Sequence, residues 1–418
     1  MSKKLSLIVL IIIAVPSAVM ASGFGLYDAN AKATGMGSAF VAKADDASAI
    51  YYNPAGIAFL EGHNFLGSIT PVQPHVDVTF MGDTTSSEQR WVYVPSMYYA
   101  TSVSDRISVG IGVFAPFGLG VQYPAEYPGN LASYRSMGLA AFIRPTVAFK
   151  VSDNFAIGGG VDFVYSRMKE WRRIPYQFLG LPFENHVIDA RYEYDGTGTG
   201  FAFGALYKAS EQFQIGLKYR HKVEIDYEGD VDFTFYETGV PMVDGMIGQL
   251  FVDQGSRSGV TIPNEFTAGI MYKTSERLSF TADFVWTKWS EIEVINLLHD
   301  ETPAIDSPWP MEWEDTWQIK FGTEYWVSHS WAVRGGYIRD NSPIPAENLT
   351  PFAPDSDRNE FTVGLGYDTK EACCWGRFFA DAAFRYILLE DVTSEFTFFP
   401  AEFSTDMTFF AISFGVSF

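Results

Sequence analysis

The sequence predicts an all-β transmembrane protein: an antiparallel β-barrel of about 14 strands, an even number as in bacterial barrels, plugged at its N-terminal end. Three observations carry the prediction. Short segments alternate apolar residues with small or charged ones along most of the chain. Their connections are alternately short and long. An export leader stands in front of them.

The leader is the first element. Lys3 and Lys4 give it a positive start, Leu5 to Val15 is apolar except for Ser6, and Val19-Met20-Ala21 is a small-residue cleavage site. The apolar run is too short to span a bilayer, which takes about 20 residues. Residues 1–21 are therefore expected to be a cleaved signal peptide. No cysteine follows the site, which argues against a lipid anchor.

The next element is the stretch Ala44–Phe59. Pro54 and Gly56 interrupt it too often for a long helix, and Ala, Asp and Pro make it a poor strand. It nevertheless carries Ile50, Tyr51, Tyr52, Ile57 and Phe59. Asn53 can bond local backbone and start a turn, and Pro54 fixes the next φ. The stretch reads as a compact apolar plug inside something larger.

Strands follow. In the C-terminal segment Phe410, Ile412, Phe414, Val416 and Phe418 share one face, with Ala411, Ser413, Gly415 and Ser417 on the other. The same period returns at Phe155–Tyr165, Phe213–Tyr219, Leu278–Trp286, Trp317–Tyr325, Trp331–Tyr337 and Phe361–Tyr367. The opposite faces hold Asp162, Lys218, Arg220, Asp283, Lys320, Glu324, Arg334, Asp381 and Arg385. Tight turns are read at residues 103–106, 151–154, 209–212, 274–277 and 327–330, and the connections between them are long. Short turns at one end and long loops at the other describe a barrel with periplasmic turns and outer loops. Closure removes the unpaired edges that a bilayer does not tolerate. Trp331, Tyr337, Tyr367 and Tyr386 would form interfacial girdles. A soluble β-sandwich also alternates, but it leaves the leader, the aromatic last strand and the loop asymmetry unexplained.

Composition agrees. A formal charge of −21 over 418 residues argues against a nucleic-acid partner. Aromatic residues make up 16% of the chain and glycine is plentiful at 37, a mixture that suits strands in close approach. The two cysteines, Cys373 and Cys374, are adjacent and read as thiols in a turn. The six histidines show no zinc spacing, so no metal and no cofactor is expected.

At this point the chain resembles a known family, the FadL/TodX outer-membrane transporters of long-chain fatty acids and hydrocarbons. The likeness rests on Gly23-Phe24-Gly25-Leu26, Gly35-Met36-Gly37-Ser38-Ala39, Asp45-Asp46-Ala47-Ser48 and Tyr52-Asn53-Pro54-Ala55-Gly56. A second match is Asn341-Ser342-Pro343-Ile344-Pro345-Ala346-Glu347-Asn348 with Pro354-Asp355-Ser356-Asp357-Arg358. The family usually reads Asp-Ser-Pro there, so Asn341 departs from it. The resemblance covers the mature chain. It implies a hatch at residues 22–61 inside a barrel at 62–418, in the bacterial outer membrane.

Transport of an apolar solute needs a capture site outside, an apolar pocket inside and an exit that need not be aqueous. Capture is expected in two long loops. The loop from Glu170 to Arg191 supplies Trp171, Ile174, Phe178, Leu181 and Phe183. The loop from Asp226 to Val260 supplies Val243, Met246, Ile247, Leu250 and Phe251, spaced as a short amphipathic helix with adaptable methionines. These loops can also simply pack on each other and cap the barrel. The exit is expected at Phe114, Pro116, Phe117 and Gly118, where proline removes a ladder donor and glycine weakens pairing. A strand end leading into a loop is the plainer reading there, and the resemblance implies a kink that opens the wall. Asn53, Pro54 and Ala55 would gate the route, with Pro54 and Ala55 facing the kinked strand. The inward charges are expected to hold the hatch, while Arg144 or Arg334 can instead meet a carboxylate head group.

The expected ligand is thus a hydrophobic small molecule, a fatty acid first and an aromatic or aliphatic hydrocarbon second, taken up by a monomer in contact with outer-membrane lipid. Two other classes stay open. An outer-membrane hydrolase would need a nucleophile and a base in register, and His221, His299 and His329 show none. A general porin would need an open channel, which the plug opposes.

Overall fold

The computed structural model describes residues 23, 25, 26, 28–183, 185–370, 376–396 and 399–418. The leader and both cysteines lie outside the described residues.

Fourteen antiparallel strands form one closed wall. They are β1 (His63–Phe80), β2 (Val92–Ser102), β3 (Ile107–Gln122), β4 (Arg135–Ser152), β5 (Phe155–Pro175) and β6 (Val187–Lys208). Then come β7, in two pieces (Phe213–Arg220 and Val223–Phe235), and β8, also in two (Gln254–Ile262 and Glu265–Ser275). The wall continues with β9 (Leu278–Thr287), β10 (Thr316–Trp326), β11 (Trp331–Asp340), β12 (Arg358–Asp368), β13 (Arg377–Leu389) and β14 (Glu402–Ser417). It closes where β14 lies against β1, with Asn64 opposite Ser417. Both ends of the wall therefore finish at the short-turn, periplasmic face, where His63 and Phe418 exchange backbone bonds of 2.7 and 2.9 Å. Among the described residues no helix is long and apolar enough to cross a membrane.

Alternation sets the two faces. Phe410, Ile412 and Phe414 are exposed on the outside, while Phe409, Ala411 and Ser413 are buried inside. The inward charges read from the sequence, Asp162 to Arg385, are all buried. Near the periplasmic turns the Trp331 and Tyr367 rings meet at a tilt, 5.0 Å between centroids, and both are exposed on the outer face.

Two long loops are shorter than the sequence reading has them. β5 runs on to Pro175 and β6 begins at Val187, so Trp171 and Ile174 sit on a strand and not in a loop. The reason is cross-strand pairing above the apolar band. Lys169 reaches Glu193 at 2.6 Å, and Trp171 lies between the guanidinium groups of Arg135 and Arg191 at 4.1 and 4.8 Å. Likewise β7 extends to Phe235, and β8 begins at Gln254.

The lumen is filled from the N-terminal side. Residues Gly23 to Leu60 carry α1 (Ala31–Thr34), α2 (Ala49–Tyr52) and a 3-10 turn over Pro54–Phe59. They pack flush against the wall because wall glycines leave room for backbone. A Cβ on Gly158 would meet the Pro54 carbonyl and the Ala55 nitrogen, and one on Gly204 would overlap Asn53 Oδ1.

Candidate functional site

The site begins with one interrupted ladder. β3 pairs with β4 along its whole length, but the register slips by one residue between Phe114 and Phe117. Ala115 and Pro116 together stand opposite the single residue Ala141 in this bulge, and Pro116 has no N–H to give. On its other side β3 pairs with β2 only as far as Val113, opposite Met97. From Phe114 upward β3 has no ladder partner on β2. The backbone contact resumes only at Gln122, whose carbonyl accepts from Glu88 N–H at 2.7 Å. The chain thus stays a strand through Phe114, Pro116, Phe117 and Gly118, with a bulge where the sequence placed a break.

The N-terminal segment takes the vacant pairing. Gly25 forms an antiparallel bridge with Phe117, and Leu26 N–H donates to the Pro116 carbonyl at 2.8 Å. Gly23 N–H donates to Asp355 Oδ2 at 2.9 Å, and Trp289 and Trp313 wall Gly23 in. Asp355 belongs to the second motif noted in the sequence, where Ser342 Oγ also donates to it at 3.1 Å. Asn341, the departure from the family pattern, still donates to Asp357 at 3.3 Å.

Asn53 fixes the turn behind. Its amide donates to the carbonyls of Val41 (2.8 Å) and Ala205 (3.0 Å), and its Oδ1 accepts from Ala55 N–H (3.2 Å). Pro54 and Ala55 therefore dock on β5 and β6 at Gly158 and Gly204, not on the bulged strand as expected. That strand is met instead by Gly25, Leu26 and Tyr51, whose ring lies 5.2 Å from that of Phe114. Gly158 and Gly204 leave the room that the proline turn occupies.

Two cavities lie on either side of this segment. One is apolar and narrow, of ≈ 60 Å³. Phe117, Gly118, Met168, Tyr227, Trp289 and Phe352 are among its walls, so the bulge forms one side of it. The other, of ≈ 630 Å³, is lined by Lys32, Asp45, Arg334, Asp368, Arg377 and Asp381 and lies near the periplasmic turns. Burial pushes the Asp45 carboxyl up, but Lys32 at 2.6 Å and Lys43 at 3.1 Å outweigh burial and hold it below the usual range.

The buried charges grip the N-terminal segment. Arg144 pairs with Asp162 through Nε and Nη2 at 2.6 and 2.9 Å, and its Nη1 donates to the Ile50 carbonyl at 3.0 Å. Arg334 lies between Glu324 (2.8 Å) and Asp381 (2.7 Å), and Glu324 also holds Lys43 at 3.0 Å. Asp28 meets Arg385 at 2.6 Å, and Asp283 accepts the N–H groups of Phe40 and Val41 at 2.8 and 3.0 Å. Arg144 and Arg334 thus already have carboxylates in their forks.

Residues 12–418 match the model of a family described as outer membrane protein transport protein (OMPP1/FadL/TodX). The chain belongs to this family. The long-chain fatty acid transport protein of Escherichia coli O6:H1 is 22% identical over 371 residues, covering 81% of this chain and 82% of that protein. A crystal structure of a Pseudomonas aeruginosa FadL homologue superposes with a TM-score of 0.85 at 19% identity, over 95% of this chain and 100% of the other. The Pseudomonas putida toluene transporter TodX gives 0.74 at 18%, over 95% and 99%. This family member is an outer-membrane protein, and its barrel carries hydrophobic compounds across that membrane.

At its outer end the expected capture residues divide. The helix α3 (Pro241–Leu250) forms where the spacing placed it. Ile247 and Phe251 are buried, Val243 and Leu250 pack half-buried on the core, and Met246 is 41% exposed beside Met242 at 85%. In the other loop Phe178 is 51% exposed, while Leu181 and Phe183 lean on the core. The loops touch where Tyr176 O–H donates to the Tyr236 carbonyl at 3.2 Å. The sequence reading passed over Met168, Tyr227, Trp289 and Trp313. None has a motif or period of its own, and each matters only through a partner far away in the chain. Asp355 was legible as part of a motif, without a role.

Proposed function

We propose that this transporter takes up long-chain fatty acids, by capture at the outer loops, passage through the apolar cavity and lateral release between β2 and β3, with residues 22–61 as the hatch. The observation that carries this reading is the Gly25–Leu26 pairing with the bulge: the segment that seals the missing ladder is bridged to Phe117, a wall residue of the apolar cavity. Exit towards the periplasm would take an apolar solute through a charged cavity, which costs far more than entering lipid. Exposed Phe178, Met242 and Met246 offer the adaptable apolar surface that capture needs. The names of the fatty-acid relative and of the toluene transporters support an apolar cargo in both forms, so aromatic and aliphatic hydrocarbons are the second reading. The chain is read as a monomer and as no enzyme, with residues 1–21 removed on export.

The test is a reversible lock. Gly25→Cys with Phe117→Cys, in a Cys373→Ser/Cys374→Ser background, should form a disulfide across the bridge. Oxidised cells should lose uptake of labelled oleate and recover it on reduction. Unchanged uptake with the disulfide shown to be closed would overturn the lateral route.

A further inference from the structure

Both pieces of β7 and β8 break at the same level, at residues 221–222 and 263–264, because Pro263 has no N–H for the ladder. Arg220 stands at this break. It is 3% exposed, and two walls of the apolar cavity hold it: its guanidinium lies 4.6 Å from the Phe117 ring centroid, and Nη2 donates to the Pro263 carbonyl at 3.1 Å. Its Nε is buried without a hydrogen-bond partner among the described residues. A buried cationic N–H left open in this way calls for a ligand.

The wall carboxylate opposite does not fill the need. Glu265 faces Arg220 in register but gives its nearer contact to Lys218, at 2.8 Å against 3.5 Å for Arg220. Lys320 and Asp283 pair in register on the next strands, and with Lys218 and Glu265 they line one small polar cavity. Lys218 thus takes the nearer oxygen of Glu265, and the Nε edge of Arg220 is left without a carboxylate among the described residues. Arg144 and Arg334, by contrast, have theirs.

We propose that Arg220 receives the carboxylate of an amphipathic ligand whose tail enters the narrow apolar cavity, and that taking the head group loosens its hold on Phe117 of the bulged strand. This rests on the reading of the protein as a fatty-acid carrier and assigns that cargo its head-group residue. The carboxylate takes the open Nε edge as an ion pair, which neither a hydrocarbon nor an uncharged ester can form. Arg220 then acts as a specificity residue, and through the Phe117 ring it links occupancy to the strand that Gly25 bridges.

The test compares oleate with methyl oleate and toluene on the full-length protein in detergent, by native mass spectrometry and calorimetry. The wild type should bind oleate at least ~10-fold tighter than methyl oleate, the margin expected of one charged hydrogen bond. Arg220→Met should erase that preference and leave methyl oleate unchanged, while Arg220→Lys should keep part of it. Should Arg220→Met fail to fold, Arg220→Gln carries the same expectation. Equal wild-type affinity for the two oleyl ligands overturns the proposal, as does a preference that survives in Arg220→Met or an equal loss of both ligands. If methyl oleate and toluene bind without any preference for oleate, the head-group site falls and apolar transport stands. If none of the three binds, both readings fall.

Discussion

Leu26 N–H reaches the Pro116 carbonyl at 2.8 Å, so the strand that proline breaks in the wall is completed from inside the barrel. Leu26→Pro removes the donor and leaves a buried carbonyl unpaired, a cost of about 1–3 kcal/mol. Nearly all of it should fall on the seating of the N-terminal segment, because β3 keeps its ladder to β4. Hydrogen exchange at residues 23–30 should rise, with the heat-modifiable band of the barrel unchanged. Equal protection in variant and wild type would show that the bond does not hold the segment.

The glycine-lined wall gives a second prediction. Gly204→Val places carbon where Asn53 Oδ1 now sits, with Pro54 Cδ 3.0 Å from the same point. Asn53 must then leave the carbonyls of Val41 and Ala205. The barrel should still form, because position 204 stays in register with Lys218 and Gly158. The plug should not seat, and single-channel conductance should rise. A closed channel in a folded variant would show that the turn can dock elsewhere.

The strands were legible because a wall with lipid outside and a polar lumen inside writes period two into every segment, as at Phe410–Phe418. The inward charges followed from the same parity. The site was legible only where one residue carries a backbone consequence of its own: Pro116 marked the bulge, and Asn53-Pro54-Ala55 marked the turn. Where contact depends on distant partners the sequence is silent. Nothing near Gly25 announces Phe117, and nothing near Pro54 announces Gly158. Strand length was misjudged at Trp171 because an arginine-flanked tryptophan above the apolar band has the composition of a loop and the pairing of a strand.

The outer helix should respond to acid. The Asp244 carboxylate accepts from the Thr238 N–H and hydroxyl, both at 2.7 Å, and from Gly239 N–H at 3.2 Å. These bonds, the Thr238 N–H first, hold its pKa below the usual 3.8. A depressed folded pKa stabilises above the unfolded value and is lost as pH falls through the folded one. The loop over residues 236–253 should therefore resist protease at neutral pH and yield only below the ordinary aspartate range. Asp244→Asn should make it labile at every pH, and a pH-independent wild type would refute this role of Asp244.

Arg144 separates a clamp from a head-group site. Arg144→Ala strands Asp162 as a buried, unpaired carboxylate and frees the Ile50 carbonyl. The cost is about 3–5 kcal/mol, typical of breaking a buried pair from one side. Arg144→Met with Asp162→Leu removes both charges and should recover most of it, since the Coulombic gain of such a pair barely exceeds its desolvation. Thermal unfolding of the two variants measures both numbers. Oleate affinity should not change in the double variant, because no open edge of Arg144 remains for a carboxylate. A loss of oleate affinity there, with stability restored, would move the head group from Arg220 to Arg144.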